Sequence, residues 1–583
     1  MKYSPYFYSP KGDILFLMRL IVRYIRPYAF LAVTAPLCVL LEVWAELAQP
    51  ELMARIVDRG ILGGEEGVIM PTCLKMVAIM LLGVAGGLFS IHAAGRVAYG
   101  LGARMRADAY DRLLRLPLAE VDRLGVPSLL TRLTDDVAKV QQAVQASIRL
   151  LFRAPMLFVG SVAMSLAIRV DVSIVIVSIM VASSVFVALS LRRAYPLFVA
   201  LQSRRDDVSR SVRETVAGVR VAKAYCGEPL ERARFSQANE ALVRQSLSVS
   251  GLMSGLMPAV SFALNAGVAF IIYLGAGGLG GTGLNVGEIM AAISYLAQIQ
   301  VAVMMASRVM VIMTQARASL IRVGEALGAH EEAEAGGLPF VNGDVVFAHV
   351  SFAYSAQASR LMLQDVSFSV SQGGTLAIMG ETGAGKSTIV NLLAGLYAPA
   401  GGQVTIGGVS LSAIVRADLR RRVAVVMQGA ALFAGTVRQN VTMGTPAASD
   451  ADVWEALRLS EAEEFVRSLP GALQYHIERG GRNLSGGQRQ RLSLARAIVR
   501  RPDVLILDDC LNALDAITER RVCLNLASMP CTKVIVSQRV SMVSLADQIL
   551  LLEAGRVVAQ GSHDALMRSC AAYRDVFLSQ TAK

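Results

Sequence analysis

The segment 380–388 has the composition and spacing of a loop that holds a nucleotide phosphate. It fits G-x-x-x-x-G-K-[ST] and lies between a strand-like run, 375–379, and a helical run, 387–396. Glycines let backbone N–H groups surround phosphates, and the start of a helix adds a favourable dipole. We therefore predict that Lys386 contacts the outer phosphates of ATP and that Ser387 ligates Mg²⁺. The predicted ATP-binding residues of this loop are Gly380, Glu381, Thr382, Gly383, Ala384, Gly385, Lys386, Ser387 and Thr388.

A second candidate for Mg²⁺ coordination is Asp508, which ends the apolar run 504–508. An apolar run that ends in a carboxylate is typical of a buried strand whose last residue holds Mg²⁺. A purely structural strand end has the same pattern, but the position downstream of the phosphate loop favours the metal site.

The elements that position these residues belong to a chain with the composition of a membrane protein. Of its 583 residues, 54% are hydrophobic and 17% are charged, with a mean hydropathy of +0.49. This excludes a disordered chain and an ordinary soluble enzyme. The net charge of +12 comes without a nucleic-acid-binding motif, so we expect no nucleic-acid partner. The seven cysteines are scattered, lack metal-ligand spacing and predict no disulfide framework.

Six long apolar stretches in the first 320 residues predict membrane-spanning helices within a lipid bilayer. The predicted spans are 28–52, 68–94, 146–168, 171–191, 251–275 and 287–313. Before them, residues 13–26 combine apolar residues with three arginines, which indicates an amphipathic helix on the inner membrane surface. A signal peptide is the alternative, but the first apolar stretch is too long and further spans follow.

Lys and Arg residues are concentrated between spans two and three and between spans four and five, whereas the segment 275–287 contains neither. By the positive-inside rule both termini then face the cytosol, and the protein is a multi-pass protein of the cytoplasmic (inner) membrane. After the spans, short β-rich runs alternate with helical runs, as in an α/β nucleotide-binding domain. The predicted domains are 1–27 (cytoplasmic N-terminal segment with the interfacial helix), 28–322 (all-α, six-helix transmembrane domain), 323–344 (linker) and 345–583 (α/β P-loop ATPase domain).

The motif Leu484-Ser-Gly-Gly-Gln488 lies between the phosphate loop and Asp508 and resembles the signature of ABC ATPases. With six spans fused ahead of one ATPase domain, nearly the whole chain resembles a half-size ABC exporter. The resemblance implies that two ATPase domains face each other head to tail, each ATP lying between one phosphate loop and the other chain's signature. The residues implied for the signature are Leu484, Ser485, Gly486, Gly487 and Gln488.

The resemblance assigns further roles in the ATPase domain. It implies that Tyr354 stacks on adenine, that Gln428 is the Q-loop glutamine and also a Mg²⁺ ligand, and that Asp515 lies in the D-loop. Short cytoplasmic helices near 118–125 and 212–221 would transmit motion between the ATPase domain and the spans.

Two catalytic positions depart from the pattern that this resemblance implies. Asp509 stands where the family usually has a catalytic glutamate, and Gln538 replaces the histidine of the switch segment. Asp is shorter by one methylene, and Gln carries no charge to stabilise the phosphoryl group. Because both changes affect the same ATP, we interpret the chain as the degenerate-site half of a heterodimer. Neutral drift in an active site is the alternative.

Glu42 and Glu46 lie at i and i+4 in span one and therefore share a helix face. Charges at membrane depth are costly, so the pair is either a contact for a polar or cationic substrate or a structural pair satisfied by Arg or by helix packing. His92, Arg96, Arg153 and Arg308 are expected near span ends, with their polar groups at the interface.

These observations predict an ATP-driven exporter subunit that moves a small amphipathic, drug-like or lipid-like substrate, with a second half-transporter as its partner. The alternatives are a homodimeric exporter or flippase with slow ATPase, a mainly regulatory subunit whose ATP site is a clamp, and an exporter-shaped importer. The substrate class follows only from family analogy.

We predict that 61–67 and 275–287 face outward and that 104–139 faces inward. Single cysteines introduced there, in a chain freed of its seven native cysteines, would be treated in intact cells with a membrane-impermeant thiol reagent. The outward segments should react and the inward one should react only after lysis. Labelling of 104–139 in intact cells would reject the orientation.

Overall fold

The computed structural model describes residues 14–277, 283–329, 331–332, 336–354 and 361–581. The chain forms two compact units. One comprises Met1–Arg112 with Pro127–Gly328, and the other comprises Leu113–Val126 with Ala329–Lys583. The short segment 113–126 therefore belongs with the C-terminal unit, although it interrupts the N-terminal one in sequence.

Long helices make up the first unit. In chain order, the helices of the first 328 residues are α1 (Ile14–Ile25), α2 (Ala29–Arg55), α3 (Glu66–Leu114), α4 (Leu118–Leu124), α5 (Val126–Thr131), α6 (Val137–Ile168), α7 (Val170–Ala217), α8 (Val219–Ala224), α9 (Glu228–Ser254), α10 (Leu256–Gly275) and α11 (Val286–Gly328). Two π-helical segments, Ile56–Leu62 and Arg132–Asp136, follow α2 and precede α6.

Six of the described helical stretches are long and apolar enough to cross a membrane, which confirms the six predicted spans. They are Met18–Leu62, Glu66–Leu114, Val126–Ile168, Val170–Ala217, Glu228–Gly275 and Val286–Gly328. The 49 residues of α3 rise about 73 Å at 1.5 Å per residue, far more than the roughly 30 Å hydrocarbon core requires. The helices therefore continue well beyond the apolar stretches that predicted them.

Three other predicted helices have different bounds. The helix expected over 13–26 is α1, and Asp13 lies outside the described residues. The second short cytoplasmic helix, expected near 212–221, is divided at Gly218, because α7 continues to Ala217 before α8 begins. The helix after the phosphate loop was expected to reach residue 396 but ends at Leu393. Two residues later, Gly395 takes a left-handed φ of +65°, which is typical of a helix C-terminus.

Glycines allow α3 to approach α2 closely. A Cβ atom at Gly83 would lie 2.6 Å from the Ala45 Cβ, and one at Gly86 would lie 3.1 Å from the Cys38 carbonyl oxygen. Both distances are shorter than ordinary contacts, so any larger residue would separate the two helices.

A buried ion pair joins α11 to the π-helical segment before α6. The Asp136 side chain is fully buried, and Arg322 Nε donates to its Oδ2 at 2.7 Å. Arg132 donates to the Arg322 carbonyl oxygen at 2.9 Å and pairs with Glu325. A buried carboxylate is costly unless it is paired and hydrogen-bonded, so this network fixes the mutual position of these helices.

The second unit contains all the described β-strands. They are β1 (Val345–Phe352), β2 (Leu363–Val370), β3 (Thr375–Gly380), β4 (Gly401–Ile406), β5 (Val409–Ser410), β6 (Val423–Val426), β7 (Gly435–Thr436), β8 (His476–Ile477), β9 (Val504–Asp508), β10 (Thr532–Val536), β11 (Gln548–Glu553) and β12 (Arg556–Gly561). Its remaining helices are α12 (Lys386–Leu393), α13 (Arg416–Arg422), α14 (Val437–Val441), α15 (Asp450–Leu459), α16 (Glu463–Ser468), α17 (Gly486–Ile498), α18 (Ala516–Ala527), α19 (Val540–Val543), α20 (His563–Ser569) and α21 (Ala571–Thr581).

The main sheet has the order β12-β11-β3-β10-β9-β6 and is parallel except for β12. An antiparallel sheet of order β2-β1-β4-β5 lies in the same unit. One apolar core joins residues of both sheets to α12, and a second core lies among α14, α15, α17 and α18. The strands of the main sheet are almost continuously apolar, as expected for parallel strands that are covered on both faces. The unit has the α/β architecture predicted for residues 345–583.

Candidate nucleotide site

Four parallel strands end at one edge of the main sheet, and the predicted nucleotide-binding residues follow directly from them. Val536 at the end of β10 pairs with Ile378 of β3 on one side and with Asp508 of β9 on the other. On the far side of β9, Val426 of β6 pairs with Leu507. At this edge the chain therefore leaves the sheet four times. The four segments are the phosphate loop, the one that begins with Asp508 and Asp509, the switch segment and the Q-loop.

The phosphate loop needs glycine at positions where a side chain cannot fit. A Cβ atom at Gly380, with φ of +152°, would lie 2.1 Å from the Leu552 carbonyl oxygen. Gly385, with φ of +103°, precedes the first residue of α12, and its Cβ would lie 2.7 Å from Leu363 Cδ2. The loop is thus held against β11 and β2, with the N-terminus of α12 at its end. This geometry fits a phosphate group.

The Lys386 ammonium lies against the backbone of the phosphate loop, on the side where a phosphate would bind. It donates to the carbonyl oxygens of Gly380 and Glu381 at 2.7 Å each. Burial lowers the pKa of Lys386, whereas the nearby carboxylates of Asp508 and Asp509 act in the opposite direction. A polyanionic phosphate would favour the charged ammonium in the same way as these carboxylates.

Ser387 and Asp508 form the pair that would hold Mg²⁺. The Ser387 hydroxyl donates to Asp508 Oδ1 at 3.3 Å, so both oxygens face one point between α12 and β9. Burial raises the pKa of Asp508, Asp509 adds to this effect, and Ser387 and Lys386 oppose it. Two neighbouring carboxylates, one of them buried, suit a divalent cation, which offsets their repulsion. The donor set of hydroxyl and carboxylate oxygens fits Mg²⁺ carried with ATP.

Asp509 is held in a constrained position beside this pair. Its φ of +48° is left-handed, and its N–H donates to the Val536 carbonyl oxygen at 3.0 Å. Gln428 Nε2 donates to Asp509 Oδ2 at 3.5 Å, whereas Asp509 Oδ1 is buried and has no hydrogen-bond partner among the described residues. A buried carboxylate oxygen without a partner is costly, and a water or a metal-bound water would satisfy it. This is where an attacking water would be oriented.

The switch residue Gln538 has an exposed side chain. The next residue, Arg539, connects the switch segment to other parts of the domain. Arg539 Nη2 donates to the Asn512 carbonyl oxygen at 3.0 Å, and Arg539 Nη1 pairs with the buried Glu519. The switch segment is therefore linked to the D-loop of the same chain.

Tyr354 stands at the start of α12, as a base-stacking residue should. Its hydroxyl lies 3.1 Å from Thr388 Oγ1, and 46% of its surface is exposed. Tyr397 packs edge-on against it, with ring centroids 5.3 Å apart. The Tyr397 hydroxyl in turn donates to Asp122 of α4. Burial and this carboxylate raise the pKa of Tyr397. Aromatic contacts thus connect α4 to the predicted adenine site.

The signature forms the N-terminus of α17. The Ser485 hydroxyl accepts from the Gln488 N–H at 3.2 Å, and Gln488 Oε1 accepts from the Ser485 N–H at 2.9 Å. This capping box explains the Ser and Gln at these positions and leaves the other N–H groups of the first turn available for an anion. Within the described residues, no hydrogen bond joins 484–488 to the phosphate loop.

The D-loop packs directly on the signature. A Cβ atom at Gly487 would lie 3.1 Å from the Ala513 carbonyl oxygen, and the Ala513 N–H donates to Gln490 Oε1 at 3.1 Å. Asp515 caps α18 by accepting from the Thr518 N–H at 3.0 Å. The structure therefore places predicted residues in two groups, one around the phosphate loop and one around the signature and D-loop.

Glu42 and Glu46 lie in the first unit and share one arginine. Arg153 of α6 pairs with Glu42 and donates to Glu46 Oε2 at 2.9 Å, and Arg149 donates to Glu42 at 3.3 Å. Arg153, which the sequence places near a span end, is thus paired with an acidic pair on α2. The structural alternative for this pair, satisfaction of both carboxylates by Arg, is therefore present.

Sequence reasoning missed several residues around the site. Arg539 and Glu519 bridge the switch segment and the D-loop, and Tyr397 and Asp122 connect α4 to Tyr354. Arg539 and Glu519 are 20 residues apart in sequence, and Tyr397 and Asp122 are 275 residues apart. No local pattern could have identified them, because their partners are brought together only by the fold.

Comparison with known proteins identifies the family. Residues 33–303 match the ABC transporter transmembrane region, and residues 363–512 match the ABC transporter ATPase family. YfiB of Bacillus subtilis (strain 168), an uncharacterized ABC transporter ATP-binding protein, is 32% identical over 97% of this chain and 98% of its own length. Rv1273c of Mycobacterium tuberculosis (strain ATCC 25618 / H37Rv), also an uncharacterized ABC transporter ATP-binding protein, is 32% identical with the same coverage. The chain belongs to the ABC transporter family.

A solved structure agrees in fold. A bacterial Atm1-family ABC exporter with ATP bound superposes with a TM-score of 0.79, covering 95% of this chain and 99% of that one, at 24% identity. The predicted class, a half-size transporter with a six-span membrane domain fused to one ABC ATPase domain, is confirmed. The protein is thus a multi-pass membrane transporter of the ATP-hydrolysing ABC class with an exporter fold.

Lys386→Ala should weaken ATP binding at this chain's own phosphate loop by about 10- to 100-fold, the scale of a charge-assisted hydrogen bond to phosphate. Photolabelling of the purified transporter with an azido-ATP analogue would measure it. Ser485→Ala is the matched control, because Ser485 caps α17 and makes no contact with that loop in the described residues. Equal labelling of Lys386→Ala and the unmodified chain would refute the role of Lys386.

Proposed function

We propose that this chain is one half of a heterodimeric ABC exporter of the cytoplasmic membrane, with its ATPase domain in the cytosol. Its own ATP site binds nucleotide and Mg²⁺ but hydrolyses slowly. Its signature, Leu484–Gln488, completes the faster site, whose phosphate loop belongs to the partner chain. The basic segments between spans two and three and between spans four and five support the cytosolic placement.

The observation that carries the proposal is the combination of a complete phosphate and metal set with an incomplete catalytic set. Lys386, Ser387 and Asp508 converge on one point, as ATP and Mg²⁺ binding needs. Asp509, by contrast, is held 3.5 Å from Gln428 by a left-handed backbone and reaches one methylene less far than a glutamate. A displacement of about 1 Å can reduce a rate by roughly 10²-fold.

The second deficit is at the switch position. A histidine there could donate a hydrogen bond and carry positive charge toward the transferred phosphoryl group, whereas Gln538 is neutral. Losing part of a positioning base costs roughly 10²- to 10⁴-fold in rate, so the two changes together favour binding over hydrolysis. The separation of the signature group from the phosphate group within the chain supports a site completed by a second chain.

In the transporter purified with its partner, Asp509→Ala should leave most ATPase activity in place, because the partner's nucleotide is hydrolysed without this carboxylate. Ser485→Ala should reduce the activity by about 10²-fold, the scale of losing one donor to a developing charge. Steady-state ATPase assays at saturating ATP would measure both.

Two controls make this test decisive. Nucleotide photolabelling must show that both variants still bind ATP, and size-exclusion chromatography must show that they still assemble. If Asp509→Ala abolished turnover under these conditions, Asp509 would be a competent catalytic carboxylate and the homodimer would be the correct assembly. If Ser485→Ala left turnover unchanged, the cross-chain geometry would be wrong.

We further propose that the transported substrate is an amphipathic organic cation that binds beside Glu46. A cavity of about 670 Å³ in the membrane unit has a size suited to a drug-like molecule. Its polar end contains Glu42, Glu46 and Arg153. Its apolar wall is formed by Met53, Met76, Met80, Val84, Leu88 and Ile91. Flexible methionines suit an adaptable binding surface.

The charges at the polar end favour a cation over an anion. Arg153 donates one Nη group to each glutamate, so its positive charge is already offset by two carboxylates. Glu46 accepts one hydrogen bond through Oε2, and its side chain is 36% exposed, which leaves Oε1 available in the described structure. A relative from Mycobacterium bovis, 31% identical over 82% of this chain, is named as a fatty acid ABC transporter. In this chain the cavity is lined by two carboxylates and one guanidinium, a charge balance that favours a cation over a fatty-acid carboxylate.

Glu46→Gln should reduce ATP-driven uptake of a lipophilic cation, such as tetraphenylphosphonium, into inside-out vesicles by about tenfold, because the substitution removes the charge attraction between the carboxylate and the cation. Glu51→Gln is the matched control, because Glu51 lies on the same helix, is exposed and does not line the cavity. Unchanged cation uptake in Glu46→Gln would reject the site. Uptake of laurate in place of the cation would reject the substrate class, and ATP-driven loss of cation from the vesicles would indicate an importer.

A further inference from the structure

The last described helix, α21, packs one face against the ATPase domain. Tyr573, Phe577 and Gln580 are at i, i+4 and i+7, which places them on the same side of the helix. The Tyr573 side chain is fully buried and its hydroxyl lies 2.8 Å from His563 Nδ1. Phe577 packs against the same core, which also contains Val540 at the start of α19. The apolar contacts therefore position Gln580, about one turn further along, next to the switch segment.

Both ends of the Gln580 amide are bonded to the backbone of that segment. Its Nε2 donates to the Gln538 carbonyl oxygen at 2.8 Å, and its Oε1 accepts from the Val540 N–H at 3.0 Å. The pattern determines the orientation of the amide, since a flip would set oxygen against oxygen and N–H against N–H. Neither aspartate nor a shorter amide could make both bonds without moving the helix.

Among the described residues, these bonds act together with contacts that hold the switch segment from the D-loop side. After β10 ends at Val536, Arg539 bonds to Asn512 and Glu519 on the D-loop side, and the Arg539 N–H donates to Ser537 Oγ at 3.0 Å. The Gln538 carbonyl and the Val540 N–H, on either side of Arg539, are the groups that Gln580 binds. The backbone of Gln538 is thus fixed from α21.

We propose that Gln580 is a positioning residue for hydrolysis, which holds the switch segment so that residue 538 faces the nucleotide. It touches neither ATP nor Mg²⁺, and it acts through the backbone of residues 538–540. The proposal rests on Gln538 being the switch residue and on the ATP site described above. Because α21 is anchored separately by Tyr573 and Phe577, loss of the Gln580 amide should loosen the segment without detaching the helix.

The first test measures the segment directly in the assembled transporter. Gln580→Met keeps the length and helix propensity of the side chain and removes both hydrogen bonds. Hydrogen exchange followed by mass spectrometry should show peptides covering 537–543 exchanging about fivefold to thirtyfold faster, the effect of losing two ordinary hydrogen bonds. Arg574→Met, on the exposed face of α21, is the matched control and should leave this exchange unchanged.

The second test separates positioning from binding. In a chain with Asp509→Glu and Gln538→His, assembled with a partner whose own catalytic carboxylate is neutralised, turnover reports on this chain's site. Gln580→Met should then lower kcat about fivefold or more and leave KM for ATP nearly unchanged, because the phosphate loop is intact. Gln580→Glu keeps the acceptor and loses the donor, so it should resemble Gln580→Met.

The outcomes distinguish this proposal from the proposed function. Unchanged exchange in Gln580→Met, an equal effect in Arg574→Met, or a rise in KM with constant kcat would each overturn the positioning role. If the proposal that this chain's ATP site hydrolyses slowly were wrong, Asp509→Ala alone would abolish turnover. That result would not depend on the residue at position 580. The exchange measurement requires no hydrolysis. It therefore tests the contact between Gln580 and the switch segment whether or not this chain's ATP site is slow.

Discussion

The carboxyl edge of the parallel sheet is the constraint on which the rest of the ATPase domain depends. A phosphate with several negative charges must be met by backbone N–H groups, a cation and a metal at one point. Parallel strands in register bring their C-terminal ends to one edge, and here β3, β10, β9 and β6 supply the phosphate loop, the switch segment, the carboxylates and the Q-loop in turn. The apolar sequences of these strands are therefore as necessary to the chemistry as Lys386 or Asp508. A strand out of register would move a catalytic group by several ångströms.

Under the function proposed above, the same edge would bind a nucleotide well and hydrolyse it slowly. Binding depends on groups held by the loop and by β9, which are all present. Hydrolysis depends on the reach and charge of two side chains, Asp509 and Gln538, which lie on the flanking segments. Small changes there alter the transition state and leave the ground state nearly untouched. The contacts of Arg539 and Gln580 with the switch segment show that its position is set by the D-loop and by α21, not by the nucleotide alone.

Two parts of the molecule follow one electrostatic rule in different surroundings. In the membrane unit, Asp136 is fully buried against Arg322, and Glu42 and Glu46 share Arg153, because unpaired charges are expensive in a medium of low dielectric. In the ATPase unit, Asp508 and Asp509 are adjacent carboxylates, and Lys386 is the cation that lowers the pKa of Asp508. A structural charge is thus neutralised within the protein, whereas a functional pair leaves room for the metal and substrate that complete it. Within the ATPase unit, Asp122 of the short helix α4 accepts a hydrogen bond from Tyr397, which packs against Tyr354.

The sequence by itself determined the class of the protein, because its defining features are local or periodic. Twenty apolar residues in a row specify a span, and a glycine-rich loop between a strand and a helix specifies a phosphate site, whatever the rest of the chain does. The lengths of the helices were less predictable, since α3 and α7 continue on polar sequence whose helical state is set by packing. Only the tertiary structure decided which side chains are partners. Arg153 with Glu46, Asp122 with Tyr397 and Gln580 with Gln538 are separated by 42 to 275 residues, and no spacing rule connects them. Side-chain partnership across such distances follows from how helices and sheets pack, and packing depends on the shape of the whole core.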